Sequence, residues 1–399
     1  MTVASLSPAP SLRVTSLITA SLLFTGVGFA ATVPYAGIVA IEGLGISNAS
    51  YGLILTAGSL IGALASVVLG WLSDRIDDRR LLVIACSFIA VLGQGLVWAV
   101  REPWAFVVSN CVLMPLGGAL YSQTLAFARA YLASRGGAQV DFLITMIRAI
   151  YAVSWVIAPP LAGWIAATYT VFDPFLVAGL AFLLCTLLFV LLLPDGETRL
   201  PSPRSDPAAA PPASSMPLYM GIGIAGIIAV TTAQRLNGIA TPLAIINHWG
   251  GSLADVGYYA ALAALIEIPF MVGWAFITRR IPLPLAIAIA SAIYALYVWL
   301  AGNVTTMAQL YWLQGLNGIS TAALMSLPIP YIQEAIRGRV GLSTSLLDVT
   351  FVVAGLVSSG VFALVAGENT YLPIFGIAAI VSVLGAVLAG IAHVMQQRR

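Results

Sequence analysis

The sequence consists of apolar segments of roughly twenty residues, which recur along its whole length between short polar turns. An apolar helix of about 20 residues crosses the hydrocarbon core of a bilayer. Twelve such segments are predicted, with approximate bounds 14–41, 50–72, 81–100, 104–132, 140–167, 173–193, 217–246, 254–277, 282–301, 305–334, 340–366 and 370–394. The predicted fold class is therefore all-α integral membrane, with the lipid bilayer as the main surrounding.

The composition excludes several classes of protein. Of the 399 residues, 60% are hydrophobic and 8% are charged, whereas soluble domains are about 25% charged. This argues against a soluble enzyme, a disordered chain and a nucleic-acid-binding domain. Lysine is absent, so no cofactor can be held as a Schiff base, and no cofactor is expected. The three cysteines lie in apolar runs without disulfide or zinc spacing, and no metal site is expected.

The arginines predict the orientation of the chain. Thirteen of the 17 basic residues fall on one side of a twelve-span chain, and Arg101 alone falls in a loop on the other side. The thirteen are Arg13, Arg75, Arg79, Arg80, Arg135, Arg199, Arg204, Arg279, Arg280, Arg337, Arg339, Arg398 and Arg399. Positive charge accumulates in cytoplasmic loops, so both termini are predicted to be cytoplasmic. The first segment is too long for a signal peptide, so we expect it to be retained.

A proline-rich stretch divides the sequence near its middle. Residues 194–216 are rich in Pro, Ser and Ala, which is typical of a linker and not of a helix. It separates residues 1–193 from residues 217–399, each with six predicted spans. Two six-helix bundles joined by a cytoplasmic linker form the layout of transporters built from parallel repeats.

The turn after the second span carries a recognisable motif. The segment from Gly70 to Arg80 has the sequence GWLSDRIDDRR, which resembles the cytoplasmic loop motif of the major facilitator superfamily, although the two aspartates replace the usual glycine. This resemblance implies the major facilitator fold and a gate. The gate residues would be Gly70, Asp74, Arg75, Arg79 and, from the fourth span, Arg129. The alternative is a solvated loop whose charges only enforce topology.

Further strings narrow the resemblance. Pro159 and Pro160 in the fifth span resemble the antiporter motif of drug and proton exchangers, although an ordinary proline kink is the alternative. With the strings 125–131, 146–149 and 267–269, they resemble the sugar efflux transporter family. That family implies a monomeric inner-membrane protein that exports sugars or glycosides in exchange for protons. The alternative function is export of multiple drugs or small metabolites.

Ionisable residues within spans are costly, so they mark functional positions. Arg148 and Glu267 lie at similar depths, and the superfamily fold implies that their spans face each other. We expect the two side chains to approach, with a static ion pair as the alternative. Burial favours a protonated carboxylate and a nearby cation favours the charged form. Glu267 is therefore the first candidate for the proton carrier, and Asp348 is the second.

Polar runs in the seventh and tenth spans predict a substrate site. In the superfamily fold these spans, with the first and fourth, line the cavity, and amides, carboxylates and aromatic rings suit a sugar. The predicted binding residues are Asn110, Tyr121, Gln123, Arg148, Trp155, Gln234, Asn237, Glu267, Gln314 and Asn317. The alternative for each is hydrogen bonding between helices.

Other classes of function fit the sequence poorly. The only histidines are His248 and His393, and neither belongs to a catalytic triad or metal motif, so an enzyme is not expected. No segment resembles a selectivity filter or a ring of charges, which argues against a channel. A sensor of the same fold that transports nothing is the remaining alternative.

Overall fold

The computed structural model describes residues 10–73, 75–135, 140–200, 216–335, 340–367 and 370–398. Within these ranges the secondary structure is helical, apart from one isolated bridge between Gly367 and Thr370. Eleven helices among the described residues are long and apolar enough to cross a membrane. The prediction of an all-α membrane protein is confirmed.

Twelve long helices account for the predicted spans. They are α1 Leu12–Gly43, α2 Asn48–Ser73, α3 Arg79–Val100, α4 Pro103–Ser134, α5 Val140–Thr168, α6 Asp173–Val190, α7 Leu218–Asn247, α8 Leu253–Ile277, α9 Leu283–Ala301, α10 Met307–Ser326, α11 Val340–Val365 and α12 Leu372–Gln397. The described helix outside the apolar eleven is α10, which carries the polar run of the tenth predicted span. It ends before Pro328, where a short helix, Pro328–Ala335, begins, because a proline lacks the N–H that would continue the ladder of helical hydrogen bonds.

Two of the long helices change their pitch. In α1 the residues Val33–Tyr35 form a 3₁₀ turn and Val39–Gly43 form a π-helical turn. In α4 the residues Ser109–Leu113 are π-helical. Pro34 lies within the 3₁₀ turn, and Pro115 follows the π-helical turn of α4 by two residues. The missing N–H and the ring of a proline disturb the regular ladder. Apolar length alone does not predict these changes of pitch.

The helices pack into two compact units. One unit contains the chain as far as Val33 together with Leu64–Ser205, and the other contains Pro34–Ala63 together with Asp206–Arg399. Residues 34–63, which lie in the first half of the sequence, therefore pack with the second half. They comprise the end of α1 and the beginning of α2.

Aromatic rings fill the core of the first unit. Phe127, Tyr131, Phe182 and Phe189 are fully buried, and the rings of Phe127 and Phe189 meet edge to face at 5.3 Å. The three cysteines are also buried, namely Cys86, Cys111 and Cys185, which agrees with their position in apolar runs of the sequence.

In the second unit, small residues allow α7 and α12 to approach closely. A Cβ atom on Gly226 would lie 2.9 Å from the carbonyl oxygen of Gly385. Such small residues are typical of close helix packing in membranes. They place α7, which carries one of the predicted polar runs, against the apolar face of α12.

Candidate functional site

The turn between α2 and α3 is built around one buried arginine, Arg80. Asp78 caps α3 and accepts a hydrogen bond from the Arg80 N–H at 3.0 Å, and the two side chains form an ion pair at 2.6 Å. The same guanidinium donates to the Leu192 carbonyl oxygen at 2.6 Å and to the Thr198 hydroxyl at 2.6 Å. The turn is thereby attached to the end of α6 and to the beginning of the predicted linker.

A second ion pair fastens the same linker segment. Arg135, after α4, donates to the Glu197 carboxylate at 2.7 Å. That hydrogen bond raises the pKa of Arg135. Burial acts to raise the pKa of Asp78, but the hydrogen bonds and charge of Arg80 outweigh it and lower that pKa. Residues 195–198 therefore contact arginines from two different turns of the first unit.

The predicted gate residues do not all have the expected surroundings. A Cβ atom on Gly70 would meet no described atom within 4 Å, and the residue is exposed. The Arg75 guanidinium lies 3.9 Å from the centre of the Trp71 ring, which is a cation–π contact. Arg79 begins α3 and Arg129 is exposed on α4. Asp74 lies outside the described residues.

Three aromatic residues come together on α4 and α5. The rings of Tyr121 and Tyr151 lie 4.4 Å apart, centre to centre, at 47°, and Trp155 hydrogen-bonds to the Tyr151 hydroxyl. Tyr121, Tyr151 and Trp155, the aromatic group, are all partly accessible. Arg148 is exposed one turn before Tyr151 on α5. The structure thus brings together two of the predicted binding residues, Tyr121 and Trp155.

The other predicted residues of α4, Asn110 and Gln123, differ in how free their side chains are. The Asn110 side chain donates to the Phe106 carbonyl oxygen at 3.0 Å, one turn earlier in its own helix. This bond satisfies one donor within the irregular π-helical stretch. Gln123 is partly accessible, near Tyr121 on the same helix.

Asn237 lies in a buried hydrogen-bond network within the second unit. Its amide donates to the Tyr259 hydroxyl at 3.1 Å and accepts from the Thr241 hydroxyl at 2.9 Å. The Tyr259 hydroxyl in turn lies 2.8 Å from that of Tyr297 on α9. The network joins α7, α8 and α9, which is the interhelical role considered as the alternative. Ligand binding by Asn237 stays a prediction.

The amides of α10 form a chain along that helix. Gln314 donates to the Leu310 carbonyl oxygen at 2.9 Å, Asn317 donates to Gln314 at 2.8 Å, and Thr321 donates to Asn317 at 3.1 Å. Gln314 is 0% exposed and Asn317 is 6% exposed, so in this structure both side chains meet protein atoms. Gln234 on α7 is partly accessible.

Glu267 lies where α8 and α10 approach each other. A Cβ atom on Gly318 of α10 would lie 2.7 Å from Ile266, the neighbour of Glu267. The Glu267 side chain is partly accessible, and Asp348 on α11 is exposed. Neither carboxylate forms an ion pair with a described residue of the second unit. Both can therefore exchange protons without first breaking an ion pair in that unit.

The predicted approach of Arg148 to Glu267 links the two units and stays a prediction. Each unit alone carries the charged groups that the prediction assigns to it. The first has an accessible cation beside the aromatic group, and the second has two accessible carboxylates at mid-span. This chemistry suits a hydroxyl-rich ligand and a titrating group.

Sequence reasoning missed several residues that complete these arrangements. Tyr151 was detectable, because it is three residues after Arg148 and four before Trp155 and so shares their helical face. Tyr259 and Tyr297 gave no signal, because their contact joins helices that are 38 residues apart in sequence. Arg80 was recognised only as part of the motif, and its burial depends on the distant end of α6.

Comparisons with known proteins agree with the all-helical membrane fold. The Major Facilitator Superfamily model matches residues 18–230, more than half of the chain. Sugar efflux transporter A of Dickeya chrysanthemi is 27% identical over 409 residues, which cover 100% of both chains. Sugar efflux transporter C of Escherichia coli is 26% identical over 354 residues, which cover 89% of each chain. Both relatives are named as transporters.

Solved structures show the same fold. A peptide transporter in complex with sulfate superposes with a TM-score of 0.82 over 99% of this chain and 98% of its own, at 13% identity. A nucleoside transporter superposes with a TM-score of 0.76 over 96% of this chain and 99% of its own, also at 13% identity. Similarity at that level of identity shows the fold alone. With the family model covering more than half of its length, the chain is a multi-pass membrane protein that belongs to the major facilitator superfamily, a family of transporters and not of enzymes.

Proposed function

We propose that this protein exports sugars or glycosides from the cytoplasm in exchange for protons. The observation that carries the proposal is the end-to-end match, 100% of both chains, to a protein named as a sugar efflux transporter. Antiport is suggested by the proline pair Pro159 and Pro160, which lies within α5 and resembles the antiporter motif. The arginine distribution supports cytoplasmic termini.

The aromatic group and polar side chains from the set predicted in the sequence would bind the sugar. Ligand pockets combine apolar and aromatic walls with a few polar groups that fix orientation. Accessible polar side chains are the best candidates for direct contact, namely Gln123, Arg148, Gln234 and Glu267. The hydrogen-bonded amides Asn110, Asn237, Gln314 and Asn317 would hold their helices in place.

Glu267 is the proposed proton carrier. It is a mid-span carboxylate without an ion pair among the described residues of its unit, and it is partly accessible. Pro269, two residues later, lies within α8 and weakens the backbone ladder of that turn. Movement of α8 would change how much water reaches the carboxylate, and its affinity for a proton would change with it. Asp348 is the second candidate.

Alternating access would use two gates. The first gate, at the end of α2 farther from the motif turn, would be formed within the second unit by residues 34–63. Thr56 and Ser359 meet at 2.7 Å, and a Cβ atom on Gly52 would lie 2.5 Å from that of Ala363, so α2 and α11 are in tight contact there. The motif turn, with Arg75, Arg79 and Arg129, would form the opposite gate.

Proteoliposomes with an imposed pH gradient test the proposal. The wild type is expected to move radiolabelled lactose against its concentration gradient when protons flow the other way. Glu267→Gln should abolish this coupled movement yet retain exchange of labelled for unlabelled lactose, because exchange needs no net proton transfer. Asp348→Asn is the matched control and should remain coupled.

Three results would contradict parts of the proposal. Lactose movement that ignores the pH gradient would indicate a facilitator. Loss of coupling in Asp348→Asn with coupling intact in Glu267→Gln would exchange the roles of the two carboxylates. No movement of lactose or any other sugar would favour the exporter of drugs or small metabolites.

A further inference from the structure

Arg235 is a cation at mid-span that the proposed mechanism does not use. It lies 17 residues after the start of α7 and 12 residues before its end, which is about 18 Å from the nearer end at 1.5 Å per residue. The side chain is exposed, although helices of its own unit surround this part of α7. An arginine at this depth is costly in a membrane and marks a functional position unless it is paired.

The guanidinium faces a space that a glycine leaves open. A Cβ atom on Gly355 of α11 would lie 3.7 Å from the Nη1 atom of Arg235 and 3.0 Å from the hydroxyl oxygen of Ser59 on α2. The Arg235 guanidinium and the Ser59 hydroxyl thus both lie next to the backbone of α11 at Gly355. One turn along, the contact of Thr56 with Ser359 at 2.7 Å closes the space between α2 and α11. Ser59 on α2, Arg235 on α7 and Gly355 on α11 therefore lie around one point within the second unit.

Among the described residues of the second unit, Arg235 takes part in no ion pair. Asp348 lies on the same helix as Gly355 but seven residues earlier, which is about 10.5 Å along the axis. Charged residues within membrane spans commonly mark pathways for substrates and ions. An accessible cation at this depth can therefore bind the anionic group of a substrate.

We propose that Arg235, assisted by Ser59, binds the acidic group of an anionic sugar, which makes sugar acids or sugar phosphates the favoured substrate class. Arginine presents parallel N–H donors that match a carboxylate or a phosphate, and the hydroxyl supplies one further donor. The absence of a side chain at Gly355 leaves room for the oxyanion. This inference rests on the proposed sugar transport and specifies its substrate.

Competition binding tests the inference on the full-length protein in liposomes at one fixed pH. Glucose, glucuronate and glucose 6-phosphate compete with radiolabelled lactose, so the neutral ring, its carboxylate and its phosphate are compared directly. The wild type should bind at least one of the two acids about tenfold or more tightly than glucose, since hydrogen bonds to charged groups contribute about 1.5–3 kcal/mol. The acid that binds more tightly than glucose shows whether the site prefers a carboxylate or a phosphate.

Variants assign the preference to Arg235. Arg235→Gln should lower the affinity for the acid to that for glucose and leave the affinity for glucose unchanged. Arg235→Lys should keep part of the preference for the acid. Arg280→Gln, which removes an exposed arginine after α8, should have no effect. Gly355→Ala should weaken only the acid, while Gly360→Ala, at a position with no described atom within 4 Å, should not.

Distinct outcomes would overturn the inference and the proposed function. Equal binding of glucose and both acids by the wild type would overturn the inference alone. Equal weakening of glucose and acid in Arg235→Gln and Arg235→Lys would show that Arg235 has a structural role. If lactose did not bind, and neither glucose nor either acid displaced it, sugar transport itself would be refuted, and the inference with it.

Discussion

Gly318 determines how closely α10 can pack against α8 beside Glu267. Replacement by alanine would place a Cβ atom 2.7 Å from Ile266 and 3.0 Å from the Ala263 carbonyl oxygen, so one helix must move. We expect Gly318→Ala to lower the free energy of unfolding by about 1–3 kcal/mol, as overpacking does. Thermal unfolding of the purified protein in detergent measures this loss.

Gly315 provides the control for this substitution, because it lies one turn away on the same helix. A Cβ atom there would meet no described atom within 4 Å. Gly315→Ala is expected to be neutral, or to stabilise by about 0.5–1 kcal/mol through the lower entropy of the unfolded chain. Similar unfolding temperatures for the two variants would show that the helix contact at Gly318 is not tight.

At the level of single residues, the sequence predicts which groups carry charge but not where their partners lie. Glu267 and Asp348 stand out because ionisable groups are rare in apolar segments. The buried state of Gln314 and Asn317 could not be predicted, because it depends on the rotation of α10 within its unit. A run of amides looks the same in sequence whether it faces a cavity or a neighbouring helix.

The turn between α2 and α3 is joined to the end of α6 by Arg80. Arg80→Gln would remove the ion pair with Asp78 and the bonds to Leu192 and Thr198. We expect a loss of about 3–5 kcal/mol, because removing one partner leaves the other groups unpaired. Unfolding in detergent measures the loss, and Arg13→Gln, at an exposed position, is the control.

Acid titration gives the same contact a second readout. The pKa of Asp78 is lowered in the folded protein, from a usual value of 3.8. A carboxylate with a lowered pKa stabilises the fold above its unfolded pKa, and this stabilisation is lost as the pH falls through its folded pKa. The wild type should therefore lose this part of its stability below pH 3.8, and Arg80→Gln should not. Equal acid sensitivity would show that other carboxylates dominate.

At the level of helices, the apolar pattern predicts existence better than shape. The second and third spans, predicted at 50–72 and 81–100, are observed as Asn48–Ser73 and Arg79–Val100. Apolar length is a local property, so these bounds follow from the sequence. The 3₁₀ turn of α1, the π-helical turn of α4 and the break at Leu327 depend on how the neighbouring proline is accommodated, which apolar length does not reveal.

At the level of the whole molecule, the contact of α2 with α11 should open during transport if access alternates. The double variant Thr56→Cys with Ser359→Cys places two thiols where hydroxyl oxygens now lie 2.7 Å apart. We expect oxidation to stop lactose transport and a reductant to restore it, because a disulfide would hold the gate shut. Transport in proteoliposomes before and after each treatment measures this.

The single-cysteine variants are the controls, and they should transport under both conditions. The three native cysteines are buried, so they should not react with the new thiols. Full transport by the oxidised double variant, with the disulfide confirmed by mass spectrometry, would mean that α2 and α11 stay together throughout the cycle. The gate would then have to be assigned to another pair of helices.

Residues 34–63 have a consequence for any attempt to divide this protein. They are encoded in the first half of the sequence, yet they pack in the second unit. A chain severed between Leu200 and Met216 would leave residues 34–63 in the amino-terminal fragment, without the helices against which they pack. The carboxy-terminal fragment would lack the two helical segments that these residues supply, the end of α1 and the beginning of α2. We therefore expect neither fragment to fold fully alone, and we expect residues 34–63 to bring the two fragments together when both are produced in one membrane.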